Sequence, residues 1–239
     1  MVREKFTILL SALLLMQSGG TRAAETIAAC EQLEMVLPDS ASRELGQRLA
    51  VRGCRAVLRL EKLFAIDISQ PIRVSVCRDM TEWHRRSGRP WFVVAVLLDD
   101  GLLLQPPRSL GRVDAGQALE HELVHWFIRR RARAPLPRWL EEGLAQKLAR
   151  QEMPPGAGTT ALPARREQLQ RLERRLCSGH CSPAKMAVDY STCLRLVDLL
   201  VRRVGLARLI EALPRLAVNG DIWQVTIADV RLERLLFDR

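Results

Sequence analysis

Residues 114–145 run DAGQALEHELVHWFIRRRARAPLPRWLEEGLA. Asp114 can accept from the first free N–H groups of a helix, and no proline interrupts that helix until Pro135 and Pro137. Within it stand His121 and His125. A spacing of four puts both imidazoles on one face, a turn apart, where a single metal ion can meet both. Glu122 lies beside them, positioned to hold a water next to such an ion. With 4 His and 16 Glu among 239 residues, chance would supply this pattern only about 0.003 times. Pro137 can open a second helix, reaching to about Arg150. That helix carries Glu141 and Glu142, about 100° apart around its axis, so one of them at most is expected to face the histidines. Helix phase does not choose between them. Trp139, Glu142, Ala145 and Ala149 form a side with small residues that permit close helix approach, whereas Glu141 borders the Leu140, Leu144 and Leu148 stripe.

Outward from this segment the periodicities change type. Residues 40–64 place Leu45, Leu49, Cys54, Val57, Leu58 and Leu60 at roughly helical spacing, with Ser40 or Ser42 as cap. Pro71 to Cys77 alternates as a strand, with Ile72, Val74 and Val76 on one face. Trp83 and His84 sit in a short helical connector. Phe92 to Leu98 and Leu102 to Gln105 flank Asp99-Asp100-Gly101, a hairpin signal. After a loop over residues 154–163, helices are expected near 163–176, 187–204 and 205–217, with a helical tail from Asp221. Strands gathered in one segment with helices on both sides indicate an α+β fold: a small, mostly antiparallel sheet with a hairpin, then the histidine helix, then a helical C-terminal part.

The chain is 48% apolar and 27% charged, which excludes intrinsic disorder and collagen-like repeats. Its net charge is +10, but the basic residues are scattered and not interleaved with aromatics. No nucleic-acid partner is therefore expected. Arg3 and Lys5, then the apolar run Phe6–Met16, then Thr21-Arg22-Ala23 follow the order of a cleavable leader, residues 1–23. Eleven apolar residues rise about 16 Å as a helix, too short to cross a bilayer, and no later stretch is long enough to span one. The mature chain is expected to be periplasmic or secreted. Export makes disulfides the default for Cys30, Cys54, Cys77, Cys177, Cys181 and Cys193, with 15 pairings open. Cys177 to Cys181 could instead form half of a structural zinc site, which would require further ligands.

A catalytic zinc needs three protein ligands and one open position. Ile128 and Arg131 stand where a metzincin would carry Gly and His, so that class is excluded. HELVH followed by PRWLEEGLA resembles the gluzincins, in particular the peptidase MA-like family of secreted bacterial proteins. Its pattern is HExxH, a short linker, then Pro-x-Trp-Leu-x-Glu-Gly-Leu-Ala, and the resemblance covers about residues 40 to 218. It implies a zincin-like fold and a single catalytic unit over 24–239. In that unit an α+β part, 24–135, carries the motif helix, and a helical part, 136–239, supplies the third ligand. It implies Zn2+ held by His121, His125 and Glu142, with Glu122 as general base toward a peptide or protein substrate. By that pattern Glu142→Ala should empty the site and Glu141→Ala should leave it filled. Tyr190 would, by the same resemblance, donate to the oxyanion; from its residue type alone it is a packing residue with a satisfied hydroxyl.

The strand Leu102 to Gln105, or its partner, could pair with an extended peptide by main-chain hydrogen bonds, or be ordinary core sheet. Arg129, Arg130, Arg131 and Arg133 end the motif helix, where positive charge suits the helix dipole; contact with an anionic envelope surface is the alternative use. His84 and His180 lack partners at ligand spacing. Trp126 and Phe127 read as core, and Trp139 as packing between the two helices. The rival reading is a non-catalytic envelope-binding protein that keeps the fold. Material recovered from a cell envelope is expected to begin at Ala24, as N-terminal sequencing would show; a chain still starting at Met1 would remove the leader from the account.

Overall fold

The computed structural model describes residues 24–151, 161–178, 182–217 and 221–238; the leader, His180 and Cys181 lie outside the described residues. The described chain forms two compact units. One comprises the residues up to Arg59 with Asp67–Leu123, the other Leu60–Ile66 with Val124 onward.

The first unit is built on a five-stranded sheet. Strands β1 (Glu25–Cys30) and β2 (Leu33–Leu37) precede helix α1 (Arg43–Phe64) and strand β3 (Ile72–Val76). Helix α2 (Met80–Ser87) leads to the hairpin β4 (Ala95–Leu98) and β5 (Gly101–Leu104), then α3 (Pro107–Leu110) and α4 (Ala115–Ala132). The strand order is β1-β2-β3-β5-β4. β1–β2 and β4–β5 are antiparallel, but β2–β3 and β3–β5 are parallel. The expected mostly antiparallel sheet is therefore corrected to a mixed one. The reason is the connections: a tight turn joins antiparallel neighbours, whereas a helix the length of α1 carries the chain back to run parallel. The pair β1–β2 was not expected at all, although the alternation of buried Leu33, Met35 and Leu37 is a readable strand signal. Strand β5 lies between β3 and β4, so both its edges are filled and it cannot take an extended peptide; β4 is the edge.

Helix α1 packs on this sheet at Gly53, where a Cβ would stand 3.1 Å from Leu33 and 3.2 Å from Leu119. A disulfide, Cys30–Cys54, ties β1 to α1. Asp114 caps α4 as expected, accepting from Gln117 N–H at 2.9 Å. α4 buries Leu119, His121 and Leu123 in this unit, and Val124, His125, Phe127 and Ile128 in the next. At 100° per residue these seven span about 240° of the circumference, wider than the stripe of an ordinary amphipathic surface helix.

The second unit is helical: α5 (Arg138–Leu148), α6 (Arg166–Ser178), α7 (Pro183–Val204) and α8 (Leu206–Leu216). The tail is not simply helical, as expected, but a short hairpin, β6 (Thr226–Ile227) and β7 (Val230–Arg231), followed by α9 (Leu232–Phe237). Phe127 stacks against Phe64 with ring centroids 5.7 Å apart. Arg175 grips the buried Asp189 carboxylate, joining α6 to α7. Glu173 of α6 accepts from the main-chain N–H groups of Arg138 (2.7 Å) and Trp139 (3.1 Å), so it caps α5 from another helix. The disulfide expectation holds at Cys30–Cys54 but not throughout, because Cys77 and Cys193 are buried free thiols in different units. Cys77 packs with Trp83 and Leu103, and burial pushes its thiol up to about 12. Burial likewise holds the Cys193 thiol well above its usual range. Both act as small apolar core residues.

Gly143 controls how α5 meets α7. A Cβ there would lie 2.4 Å from the Cys193 carbonyl oxygen and 2.6 Å from Val197 Cγ2. The first neighbour is backbone and cannot rotate away. Gly143→Ala is expected to force the helices apart and cost about 1–3 kcal/mol of stability, read as a lowered melting temperature; an unchanged melt would contradict this packing.

Candidate metal centre

The site begins with two histidines on a helix that has almost no exposed side. His121 is 8% exposed and His125 4%. Burial of a neutral imidazole is tolerable only when its ring nitrogens have partners. Each of His121, Glu122 and His125 offers one ligand atom, and these atoms all lie within 4.8 Å of one another. The group could hold a metal ion. The expected pairing of the two imidazoles across one helical turn is thus present in the structure.

Glu122 does not hang loose beside them. Its Oε2 accepts from the main-chain N–H of Leu97, on the edge strand β4, at 2.8 Å. The first unit thereby orients this carboxylate with a backbone donor that, proline aside, every residue at position 97 would supply. The same contact occupies the outward N–H of β4 at Leu97.

His125 is held from the second unit. Its Nδ1 lies 2.9 Å from Glu141 Oε1, and its Nε2 lies 3.7 Å from Glu142 Oε2. A carboxylate can only accept, so the ring carries a proton on Nδ1, and whenever the ring is neutral its lone pair lies on Nε2. That is the tautomer a metal requires of a histidine bound through Nε2. Glu142 is 1% exposed, and its Oε1 is paired with Arg138 Nη2 at 2.7 Å. Arg138 also reaches Glu141, with Nη1 3.2 Å from Oε2. One guanidinium therefore spans both carboxylates. Burial pushes the Glu141 carboxyl up, but the hydrogen bond and charge of His125, with the charge of Arg138, outweigh it and hold the group below its usual range.

The two adjacent glutamates thus take different nitrogens of the same ring. The expectation that at most one of them faces the histidines is corrected: both carboxylates approach the His125 ring, one at each nitrogen, because that ring presents its two edges to the same helix. Arg138, missed in the sequence reading, had a legible signal, since it stands three and four residues before Glu141 and Glu142 and faces both on a helix. Leu97 and Glu173 had none, because their contacts cross long stretches of chain. Tyr190 lies half-buried on α7, where its main-chain oxygen accepts from Gln146 Nε2 at 2.9 Å. Arg130 stacks over Trp126, 4.1 Å from the ring centroid, and Arg129 Nε comes within 3.7 Å of Glu141 Oε1. These two arginines are tied to their own unit, so the end of α4 is more than a solvated basic tip.

Comparison of the chain with family models, with curated proteins and with solved structures found no match. What the site can do follows from its donor atoms. His121, Glu122 and His125 supply two imidazoles and a carboxylate, a donor set that fits a divalent metal ion, and the buried Glu142, with Oε2 3.7 Å from His125 Nε2, stands beside that group without belonging to it.

The hydrogen bond to Nδ1 changes the expectation for Glu141. A carboxylate that fixes the tautomer and ring orientation of a ligand typically matters by roughly 10- to 100-fold in metal affinity. Glu141→Ala is expected to weaken zinc binding by about that factor while the fold persists, measured by competition with a chromogenic chelator. Unaltered affinity would show that His125 is oriented without it.

Proposed function

We propose that this protein is a zinc-dependent metallopeptidase of gluzincin type that hydrolyses peptide bonds in a peptide or protein substrate outside the cytoplasm. The observation that carries the reading is the double hold on His125, with Glu141 on Nδ1 and the buried Glu142 beside Nε2. In this reading His121, His125 and Glu142 hold Zn2+. The similarity of HELVH and PRWLEEGLA to the peptidase MA-like pattern supports the same three residues. The Cys30–Cys54 disulfide supports an oxidising compartment, and no helix of the described residues is long and apolar enough to cross a membrane.

Zinc, when bound, supplies Lewis acidity that polarises a carbonyl oxygen and acidifies a water. The chain's own residues do the rest. Glu122, with Oε2 held by the Leu97 N–H, keeps Oε1 for the proton it takes from the attacking water and later gives to the leaving amine. Arg138 holds Glu142 by Oε1, which leaves Oε2 on the His125 side. Glu141 keeps the His125 proton on Nδ1 so that Nε2 can donate its lone pair. Tyr190 is assigned to the oxyanion on the resemblance alone; if its hydroxyl stabilises that charge, Tyr190→Phe lowers kcat by about 100-fold or more.

Glu122→Gln separates ligation from proton transfer. It is expected to retain zinc and to lose at least about 100-fold in turnover of an unfolded protein substrate, whereas Glu142→Ala should lose zinc and activity together. Zinc stoichiometry and hydrolysis with and without chelator measure both. Undiminished hydrolysis by the Glu122→Gln protein would overturn the mechanism.

A further inference from the structure

The first unit contains a second concave feature that includes no residue of the histidine motif. An open cavity of about 310 Å³ is lined by Arg73, Ser75, Arg78, Glu82, Arg86 and Asp100, with apolar contributions from β2 and the turn after it. Strand alternation builds its floor: Arg73 and Ser75 of β3 share the face opposite the buried Ile72 and Val74.

The charges around it are not balanced pairwise. Glu82 is already used on both oxygens. Oε1 lies 3.3 Å from Arg86 Nη1, and Oε2 accepts from the Arg78 main-chain N–H at 2.9 Å. No ion pair engages the guanidinium of Arg73 or Arg78 among the described residues, and the Ser75 hydroxyl makes no hydrogen bond there. Asp100, at the β4–β5 turn, is the one carboxylate of the lining likewise unengaged. The lining therefore carries three guanidinium groups against two carboxylates, and among the described residues Arg73, Arg78 and Asp100 stand outside any ion pair. A guanidinium presents a planar fork of donors that matches a carboxylate or phosphate, and the cavity is at the small end of ligand-sized sites.

We propose that this cavity binds the oxyanion group of a small solute, a carboxylate or a phosphate, between Arg73 and Arg78, with Ser75 donating its hydroxyl. Asp100 opposes the bound charge and keeps the affinity modest. The site belongs wholly to the first unit and is independent of metal binding and of hydrolysis.

Isothermal titration of the purified metal-free protein with inorganic phosphate and with succinate tests this. One of the two is expected to bind saturably at one site, and the tighter probe identifies which oxyanion chemistry the cavity takes. Arg73→Ala/Arg78→Ala should weaken that binding at least about tenfold, while Asp100→Asn should tighten it severalfold. A control that removes the same charge from α1, Arg48→Ala/Arg55→Ala, should stay within about twofold of the parent protein. If the double variant fails to fold, Ser75→Ala replaces it, with a severalfold loss expected. Failure of both probes to bind, full retention in the cavity variants, or an equal loss in the control would each overturn the proposal.

Discussion

A carboxylate with 1% of its surface exposed is the constraint around which the second unit is arranged. Taking Glu142 out of water costs several kcal/mol unless opposite charge and hydrogen bonds replace the lost hydration. Arg138 supplies part of that compensation at 2.7 Å, and the His125 ring faces the other oxygen. Because Arg138 is also shared with Glu141, and Glu141 with His125, the four groups form one network. Loss of Arg138 would leave the buried Glu142 carboxylate without its compensating charge.

The backbone around this network is placed by equally local demands. Gly143 follows Glu142 because α7 passes so close that a methyl group would collide with a carbonyl oxygen. Glu173 caps α5 from α6, which settles where α5 begins and hence where Arg138, Glu141 and Glu142 stand around its axis. Free N–H groups at a helix start need acceptors, and with Pro137 preceding the helix no local side chain provides one. Arg175 with the buried Asp189 then secures α6 against α7. Packing, capping and ion pairing in this unit thus converge on the same short helix.

In the first unit the corresponding work is done by main chain. The mixed sheet leaves β4 at its edge, and the Leu97 N–H of that strand binds Glu122. An edge strand with unpaired N–H groups is normally a hazard; here one of those groups orients a candidate general base. The open side of the same sheet carries Arg73 and Ser75 with Arg78 close by in sequence, which gives this unit a charged cavity of its own.

Much of this was legible in the chain itself. The i, i+4 histidines, the Asp114 cap, the Pro break and the hairpin around Gly101 are rules of near neighbours, and periodicity, caps and turns express them directly. So is the spacing of Arg138 to both glutamates, at three and four residues along one helix. The division of labour between Glu141 and Glu142 was not open to that kind of reading from residue spacing. Two residues 100° apart on a helix are equivalent until a neighbouring element distinguishes them, and here the His125 ring meets both, Glu141 at Nδ1 and Glu142 at Nε2. The parallel strand pairs, the Glu173 cap, the Leu97 contact and the burial of Cys77 and Cys193 as thiols likewise join residues remote in sequence. Sequence determined the local pieces because their energetics act within a few residues. Tertiary structure decided the partners of each buried charge, because compensation for lost hydration comes from whatever group the fold brings within reach.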